Sequence, residues 1–466
     1  MITGKTLIAW GYRPGAWFAD AIPAAEAARA SGADEAVIRA IVDGFAPPPL
    51  PPAVGLRAKA LAYSLNIRAE APGDAENIAS VEKHMADLMR VPTLVAGTVM
   101  PDACPSGAAP GTIPVGGVVA AKDAIHPGMH SADICCSMAM TVLGKGIAPS
   151  AVLDAGMKLS HFGGGGRPRG RQLHPPAEIM EAFEANSFLK PHTSAAIEHF
   201  ATQGDGNHFF FVGRVASSGA VALVTHHGSR RPGAMLYKAG METAERFTRA
   251  LSPETPKHNA WIPAETSEGR AYWDALQTIR AWTKANHFAI HDLIVEALGL
   301  KPEDRFWNEH NFVFRKSDGL FYHAKGATPA WAGFAADSSG LTLIPLNMAE
   351  PILITRGLDA ENGLGFAPHG AGRNFSRSAY MRQHAGKTEE QMVAEQTAGI
   401  DARFFCGIPD VSELPGAYKS AAVVRKQIAE FGLAEVVDTV EPVGSIMAGD
   451  WQRDAPWRKK KRAKQS

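Results

Sequence analysis

The sequence predicts an α+β fold, and two observations carry that prediction. Between about residue 90 and residue 450, short β-type runs are separated by turns rich in Gly, His and Asn, as strands closed by turn residues are. Two stretches of helical periodicity interrupt those runs, so strands and helices share the same region. The chain has 466 residues, 45% hydrophobic and 20% charged, which supplies a substantial core and excludes disorder for its bulk.

Taken in order, the Ala-rich stretch from Ala21 to Asp43 has helix-compatible spacing at Ala25, Ala28, Val37, Ile38 and Ile41. It ends at Ala46-Pro-Pro-Pro-Leu-Pro-Pro52, a sequence that cannot be helical and reads as a stiff connector. Residues 1–52 are therefore expected to be a helical arm with its connector, 53–450 the main domain, and 451–466 a basic disordered tail. Val115–Ala121, Met138–Leu143, Phe209–Val212, Val221–Thr225, Phe312–Phe314, Leu341–Leu346 and Ile352–Thr355 fit buried or half-buried strands. The helical stretches run over Ser267–Leu298, with Tyr272, Leu276, Ile279 and Trp282 on one face, and over Glu389–Ala398. The run Arg458–Lys464 reads as a solvated end that adds non-specific phosphate affinity.

The 47 Lys and Arg balance the 47 Asp and Glu, so any nucleic-acid contact has to come from a local patch. Cys104, Cys135, Cys136 and Cys406 are too few and too unevenly spaced for a disulfide framework. The N-terminus lacks the basic-then-apolar pattern of a signal peptide, and no apolar run approaches the roughly 18–20 residues that span a bilayer. A cytoplasmic location and no membrane partner are expected.

Residues able to bind metal recur at strand ends. Asp133-Ile-Cys-Cys136 precedes Met138–Leu143, and Gly204-Asp-Gly-Asn-His208 leads into Phe209–Val212. Thr225-His-His-Gly-Ser-Arg230 follows a strand, His310-Asn311 opens another, and His369-Gly-Ala-Gly-Arg373 sits in a loop before a helix starting near Ser376. One such histidine would read as a hydrogen-bonded structural residue; four beside glycines, with an Asp-x-x-Cys, read as a converging site. Mixed O, S and N donors suit Mn²⁺, Zn²⁺, Fe²⁺ or Co²⁺ better than Mg²⁺ or Ca²⁺. A thiolate can bridge two such ions, which could then clamp a triphosphate. Gly163–Gly166, followed by Arg-Pro-Arg-Gly-Arg171, lacks the Lys-Ser/Thr ending of a P-loop and reads as a flexible loop rather than a phosphate cradle.

As an ordered set these motifs resemble the RtcB family of RNA ligases over roughly residues 90–450, together with His323-Ala-Lys-Gly-Ala-Thr328, Ser376-Arg377 and Pro415-Gly-Ala-Tyr-Lys419. The resemblance implies a large mixed β-sheet core with peripheral helices and a central metal cleft. It implies one Mn²⁺ on Asp133, Cys136 and His208, and a second on Cys136, His226 and His310 with Cys136 bridging. His369 would take GMP from GTP, with Asn207, Arg230, Lys325, Arg373 and Arg377 orienting or neutralising phosphates. Nucleotide contacts fall on Asn207, Asn311, Asn347, Met348, His369, Gly370, Ala371, Gly372 and Tyr418. The implied partner is RNA bearing a 3′-phosphate or 2′,3′-cyclic phosphate on one end and a 5′-hydroxyl on the other, joined in RNA repair or tRNA splicing.

The chain departs from the family where the base would be read. Phe211 stands for a usual Glu, Val443–Gly449 lacks a usual Lys, and Pro345-Leu-Asn-Met-Ala349 replaces Pro-Gly-Ser-Met-Gly. Cys135, Ser137 and His227 also replace usual residues. Another nucleotide or acceptor therefore stays open, as do a dinuclear phosphoesterase and a non-catalytic RNA-binding homologue. His227, His258, His287, His291 and His384 match no motif.

Overall fold

A computed structural model describes residues 1–15, 17–46 and 52–453. Residues 47–51 of the Pro-rich connector and the basic run Arg458–Lys464 lie outside the described residues. Contacts divide the chain into two units, Met1–Ala53 with Glu265–Ser267, and the remainder from Val54.

In the first unit the Ala-rich stretch is two helices, Phe18–Ala30 and Glu35–Phe45, where the sequence suggests one. The break is chemical. Gly32 takes φ +85°, which ends the first helix, and the Asp34 side chain accepts from Val37 N at 2.9 Å, capping the second. Leu7, Ala21, Ala25, Ile38 and Val42 form its small core.

The second unit is α+β. Its larger sheet runs Leu341–Ile344, Ile352–Gly357, Ala434–Met447, Phe209–Val215, Val221–His227, Ser137–Gly144 and Asp304–Glu309, each strand antiparallel to its neighbour. Asp401–Phe404 joins it in parallel to Ala434–Met447, so the sheet is mixed. The two end strands come back together: Leu343 N donates to Asn308 Oδ1 at 2.8 Å, and Asn308 Nδ2 donates to Leu343 O at 3.4 Å. That side-chain bridge brings the sheet close to a barrel filled by Met138, Met140, Phe211, Val224, Phe306, Leu343 and Val440. Helices Pro149–Leu159 and Ser267–Ala297 contribute Val152, Leu153, Tyr272, Leu276, Ile279 and Trp282 to the main core. Every residue of Val221–His227 is buried, so it reads as a continuous apolar run rather than an alternation. A second, five-stranded sheet holds Ser64–Leu65, Leu94–Cys104, Val115–Ala121, Phe321–Lys325 and Phe312–Arg315.

Several elements carry no clear pattern in the sequence. Helix Arg230–Leu251 buries Gly233, Leu236, Gly240, Ala244 and Thr248, a face of mostly small residues with no apolar stripe to read. Strand Ala434–Met447 contains Pro442, tolerated because the register shifts between Pro442 and Gly444. Among the described residues, no helix is long and apolar enough to cross a membrane.

Asn308 is fully buried and also donates to Thr328 Oγ1 at 2.9 Å. Asn308→Ala strands the Leu343 N–H in the interior, and a loss of about 2–4 kcal/mol in urea unfolding is expected. A loss under about 0.5 kcal/mol would show that this bridge does not hold the end strands together.

Candidate active site

Antiparallel register assembles the site. Ser137 pairs with His227 and with Glu309, and Phe209 pairs with His226. The starts of two strands therefore lie beside the ends of two others. Cys136 and His208 immediately precede a strand, His226 is the penultimate residue of one, and His310 follows one. His310 N donates to Cys136 O at 2.7 Å, extending the ladder by one rung. Cys135 (φ 55°), Asn311 (φ 53°) and Arg230 (φ 54°) hold left-handed backbone that non-glycine residues rarely adopt, and Cys135 N donates to Asn311 O at 2.9 Å.

Two donor triplets result, Asp133–Cys136–His208 and Cys136–His226–His310, each with ligand atoms within 4.8 Å of one another and Cys136 in both. His208 Nε2 lies 3.0 Å from Asp133 Oδ2 and 3.6 Å from Cys136 Sγ. His226 Nε2 lies 3.2 Å from Cys136 Sγ and 3.2 Å from His310 Nε2. Donors around a four-coordinate ion sit roughly 3.3–3.8 Å apart, so the spacing fits a cation with little movement.

The electrostatics agree. Burial, with His208 nearby, takes His226 down to about 3, and burial with His369 nearby holds His310 well below the ordinary histidine range. Both imidazoles are therefore neutral and able to donate a lone pair to a cation. Burial and then the Asp133 charge push the Cys136 thiol well up, so a cation would displace its proton. Burial alone would raise Asp133, but His208 and the Cys136 S–H carry it below the usual carboxylate range. His226 Nδ1 lies 3.1 Å from Asn207 O, which aims Nε2 at Cys136 and His310. Gly228 lets the chain pass Asp133, since a Cβ there would stand 2.0 Å from Asp133 Oδ1.

The imidazole of His369 lies beside the second triplet, its ring centroid 4.7 Å from that of His310. Its Nδ1 is 2.8 Å from Asp102 Oδ2, on a side chain with no exposure. The carboxylate accepts, so Nδ1 carries the proton and Nε2 keeps its lone pair. Sequence reasoning missed Asp102; its signal is one acidic residue inside the apolar run Val99-Met-Pro-Asp-Ala103.

His369 lines an inner cavity of about 260 Å³ together with Asn207, Asn311, Lys325, Asn347, Met348, Gly370–Gly372, Arg373 and Tyr418. Phe209, Phe211, Ile352 and Met447 supply apolar lining to the same cavity. Phe211 is the cross-strand neighbour of Ser445, and Phe211, the Val443–Gly449 stretch through Ser445 and Met447, and Pro345–Met348 all contribute to the lining of this space. Burial lowers Lys325 to about 8, and its Nζ donates to Ser106 Oγ at 2.8 Å. Asn311 Oδ1 accepts from Gly326 N at 2.7 Å, and Asn347 Oδ1 from Ala349 N at 2.9 Å.

An outer cleft of about 900 Å³ is lined by Asp133, His208, Arg230, Arg231, Arg377 and Trp451, and Asn207 lines both spaces. Arg230 donates to Thr202 Oγ1 at 3.2 Å and to Gly163 O at 2.6 Å, both neutral acceptors. Arg373 and Arg377 converge instead on Glu413, a buried carboxylate the sequence did not flag. Arg373 Nη2 donates to Glu413 Oε2 at 2.5 Å, Arg377 Nε to Glu413 Oε1 at 2.8 Å, and Tyr418 O–H to Glu413 Oε2 at 2.5 Å. These guanidinium groups are partnered in the protein rather than open forks.

The unassigned histidines brace the centre from behind. His287 contacts Ser137 Oγ at 3.0 Å and Thr225 Oγ1 at 2.6 Å, His291 contacts Thr141 Oγ1 at 2.7 Å, and His227 stacks on His287 at 3.4 Å. His258 and His384 bond to backbone carbonyls of Pro110 and Tyr380.

With this geometry established, comparison with known proteins is direct. Residues 150–448 match the family model described as tRNA-splicing ligase RtcB. The chain is 28% identical over 304 residues to a tRNA-splicing ligase RtcB of Pyrococcus abyssi, covering 57% of this chain and 33% of that protein. It is 26% identical over 365 residues to RNA-splicing ligase RtcB of Escherichia coli strain K12, covering 71% of this chain and 85% of the relative. The match thus spans about a third of the Pyrococcus protein's length.

Proposed function

Because the chain belongs to the RtcB family, we propose that it is an RNA ligase that joins a 3′-phosphate or 2′,3′-cyclic phosphate end to a 5′-hydroxyl end, through a nucleotide carried on His369. The observation that carries this reading is the position of His369: its ring lies 4.7 Å from that of His310, a member of one of two donor triplets that share Cys136, and it lines the inner cavity.

Asp133, Cys136 and His208 would hold one Mn²⁺, and Cys136, His226 and His310 the other. When bound, the two ions would supply positive charge against phosphate oxygens. Asp102 holds the Nδ1 proton, which directs the Nε2 lone pair outward. Nε2 forms a bond to the α-phosphorus of GTP as the bond to the β-phosphate oxygen breaks and pyrophosphate leaves. Lys325 and Asn207, both lining the inner cavity, orient the phosphates. Arg373 acts from its Glu413-anchored position, and Arg230 serves the outer cleft. A 2′,3′-cyclic phosphate end is first opened by water to a 3′-phosphate; a 3′-phosphate oxygen then bonds to the GMP phosphorus as its bond to Nε2 breaks, and the 5′-hydroxyl attacks the 3′-phosphorus, forming the phosphodiester and releasing GMP. The family's RNA-splicing names and the two cavities that share Asn207 support this order, with nucleotide inside and RNA outside. Four free thiols fit a reducing cytoplasm.

Incubation with α-labelled GTP and Mn²⁺, followed by denaturing electrophoresis, tests the proposal. Acid-labile label on the protein is expected; no label from GTP or ATP with metal present would defeat it. Asp102→Asn should lower the rate of labelling by about 10²–10⁴-fold with metal content unchanged, because an amide no longer enforces the productive tautomer. A rate within threefold of wild type would remove Asp102 from the mechanism.

A further inference from the structure

Trp451 lies just beyond the stretch matched by the family model, and 41% of its surface is exposed. The ring is nonetheless held. Its Nε1–H donates to Asp205 Oδ2 at 3.0 Å, on the loop that carries Asn207 and His208. Beneath it lies Gly164, where a Cβ would come within 2.9 Å of the indole Cη2. The Gly163–Gly166 run is therefore tied to neighbouring residues at two points. Gly163 N donates to Gly204 O at 2.7 Å, and the bare backbone at Gly164 forms a seat for the ring. An edge pinned by a carboxylate and a face resting on glycine leave the rest of the indole toward the outer cleft that it lines.

The same cleft presents Arg230, whose hydrogen bonds go to neutral oxygens and which makes no direct ion pair among the described residues, the Asp133 and Asp205 charges acting on it from further away. Several carboxylates on this wall are already engaged, Asp205 by the indole, Glu389 by Arg453 at 2.7 Å and Asp410 by Ser412 at 2.6 Å. A fixed indole beside an available guanidinium suits a flat base joined to a phosphate, which is the chemistry of a single-stranded nucleic-acid end.

We propose that Trp451 is a stacking platform for the terminal nucleotide of the RNA strand, placing that nucleotide's phosphate toward Arg230 and Asn207. This rests on the ligase reading above. Stacking tolerates any base, so the platform would grip an RNA end without choosing its sequence.

The test is equilibrium binding of the full-length protein to a short 3′-phosphorylated oligoribonucleotide by fluorescence anisotropy. Trp451→Ala should weaken binding about tenfold, and Trp451→Phe should recover all but about threefold. Removing the terminal base should weaken wild type by a similar factor and leave Trp451→Ala unchanged, because one contact is lost in either case. The factor should persist as salt is raised, whereas the phosphate contribution falls. Trp451→Ala binding within twofold of wild type, or an equal further loss on abasic RNA, overturns the platform, the second result marking a merely structural residue or a protein-docking one. If wild type labels on His369 and binds RNA, those failures concern Trp451 alone; if it does neither, the ligase reading has failed and the platform with it.

Discussion

His369→Ala is expected to remain folded, to keep its metals and to take no label from α-labelled GTP. The side chain is 17% exposed and, among the described residues, its polar partner is Asp102, so removing it costs little packing. It does remove the only proposed nitrogen nucleophile, and a fall to background, at least about 10³-fold, follows. Labelling gels read the adduct, and metal analysis of the same sample shows that the centre survives. Metal-dependent phosphate release by His369→Ala at the wild-type rate would identify a dinuclear phosphoesterase instead, since hydrolysis by a positioned water needs no protein nucleophile.

Cys136→Ala should lose both ions together. Its sulfur belongs to each donor triplet, whereas His208 serves one and His310 the other. Removing a group that only supports a ligand already costs about 10–100-fold in affinity, so deleting the shared ligand exceeds that at both positions. Metal content after gel filtration should fall from about two ions per chain to below one, with adduct formation lost. His310→Ala should instead stop near one ion. Two ions retained in Cys136→Ala would mean that the sulfur is not the bridge. The fold should persist, because the neighbouring backbone is held by the ladder between His310 N and Cys136 O rather than by the thiol.

Much of the strand framework is legible in the sequence. Val115–Ala121 occupies the expected residues, and Ser137–Gly144, Phe209–Val215 and Val221–His227 extend the expected runs by one to three residues at an end. These strands are buried on both faces or close to it, so continuous apolar runs bounded by Gly, Asn and His mark them. Helix Arg230–Leu251 escapes notice because glycine and alanine form much of its buried face. The single helix read across Ala21–Asp43 fails because Ser31-Gly32 interrupts an otherwise favourable composition.

The candidate site divides in the same way. Cys136, His208, His226 and His310 are visible because each sits at a strand end beside turn residues. Asp102 and Glu413 are not, since a solitary buried acid carries no period and no motif. Asp102 lies 267 residues from His369, and Glu413 lies 40 and 36 residues from Arg373 and Arg377. The guanidinium groups read as phosphate clamps are half satisfied within the protein, which only the position of Glu413 reveals.

By itself the sequence determined the kinds of donor atom, the strands that flank them and the departures at Phe211, Pro345–Ala349 and Val443–Gly449. Tertiary structure alone decided that the donors of each triplet lie within 4.8 Å of one another, that Nδ1 of His369 meets Asp102, and that Asn207 lines both an inner cavity and an outer cleft. Coordination and tautomer depend on distances of a few ångströms between side chains as far as 267 residues apart, as Asp102 and His369 are. Such distances follow from the antiparallel register of strands that meet only after folding, and no local spacing encodes them.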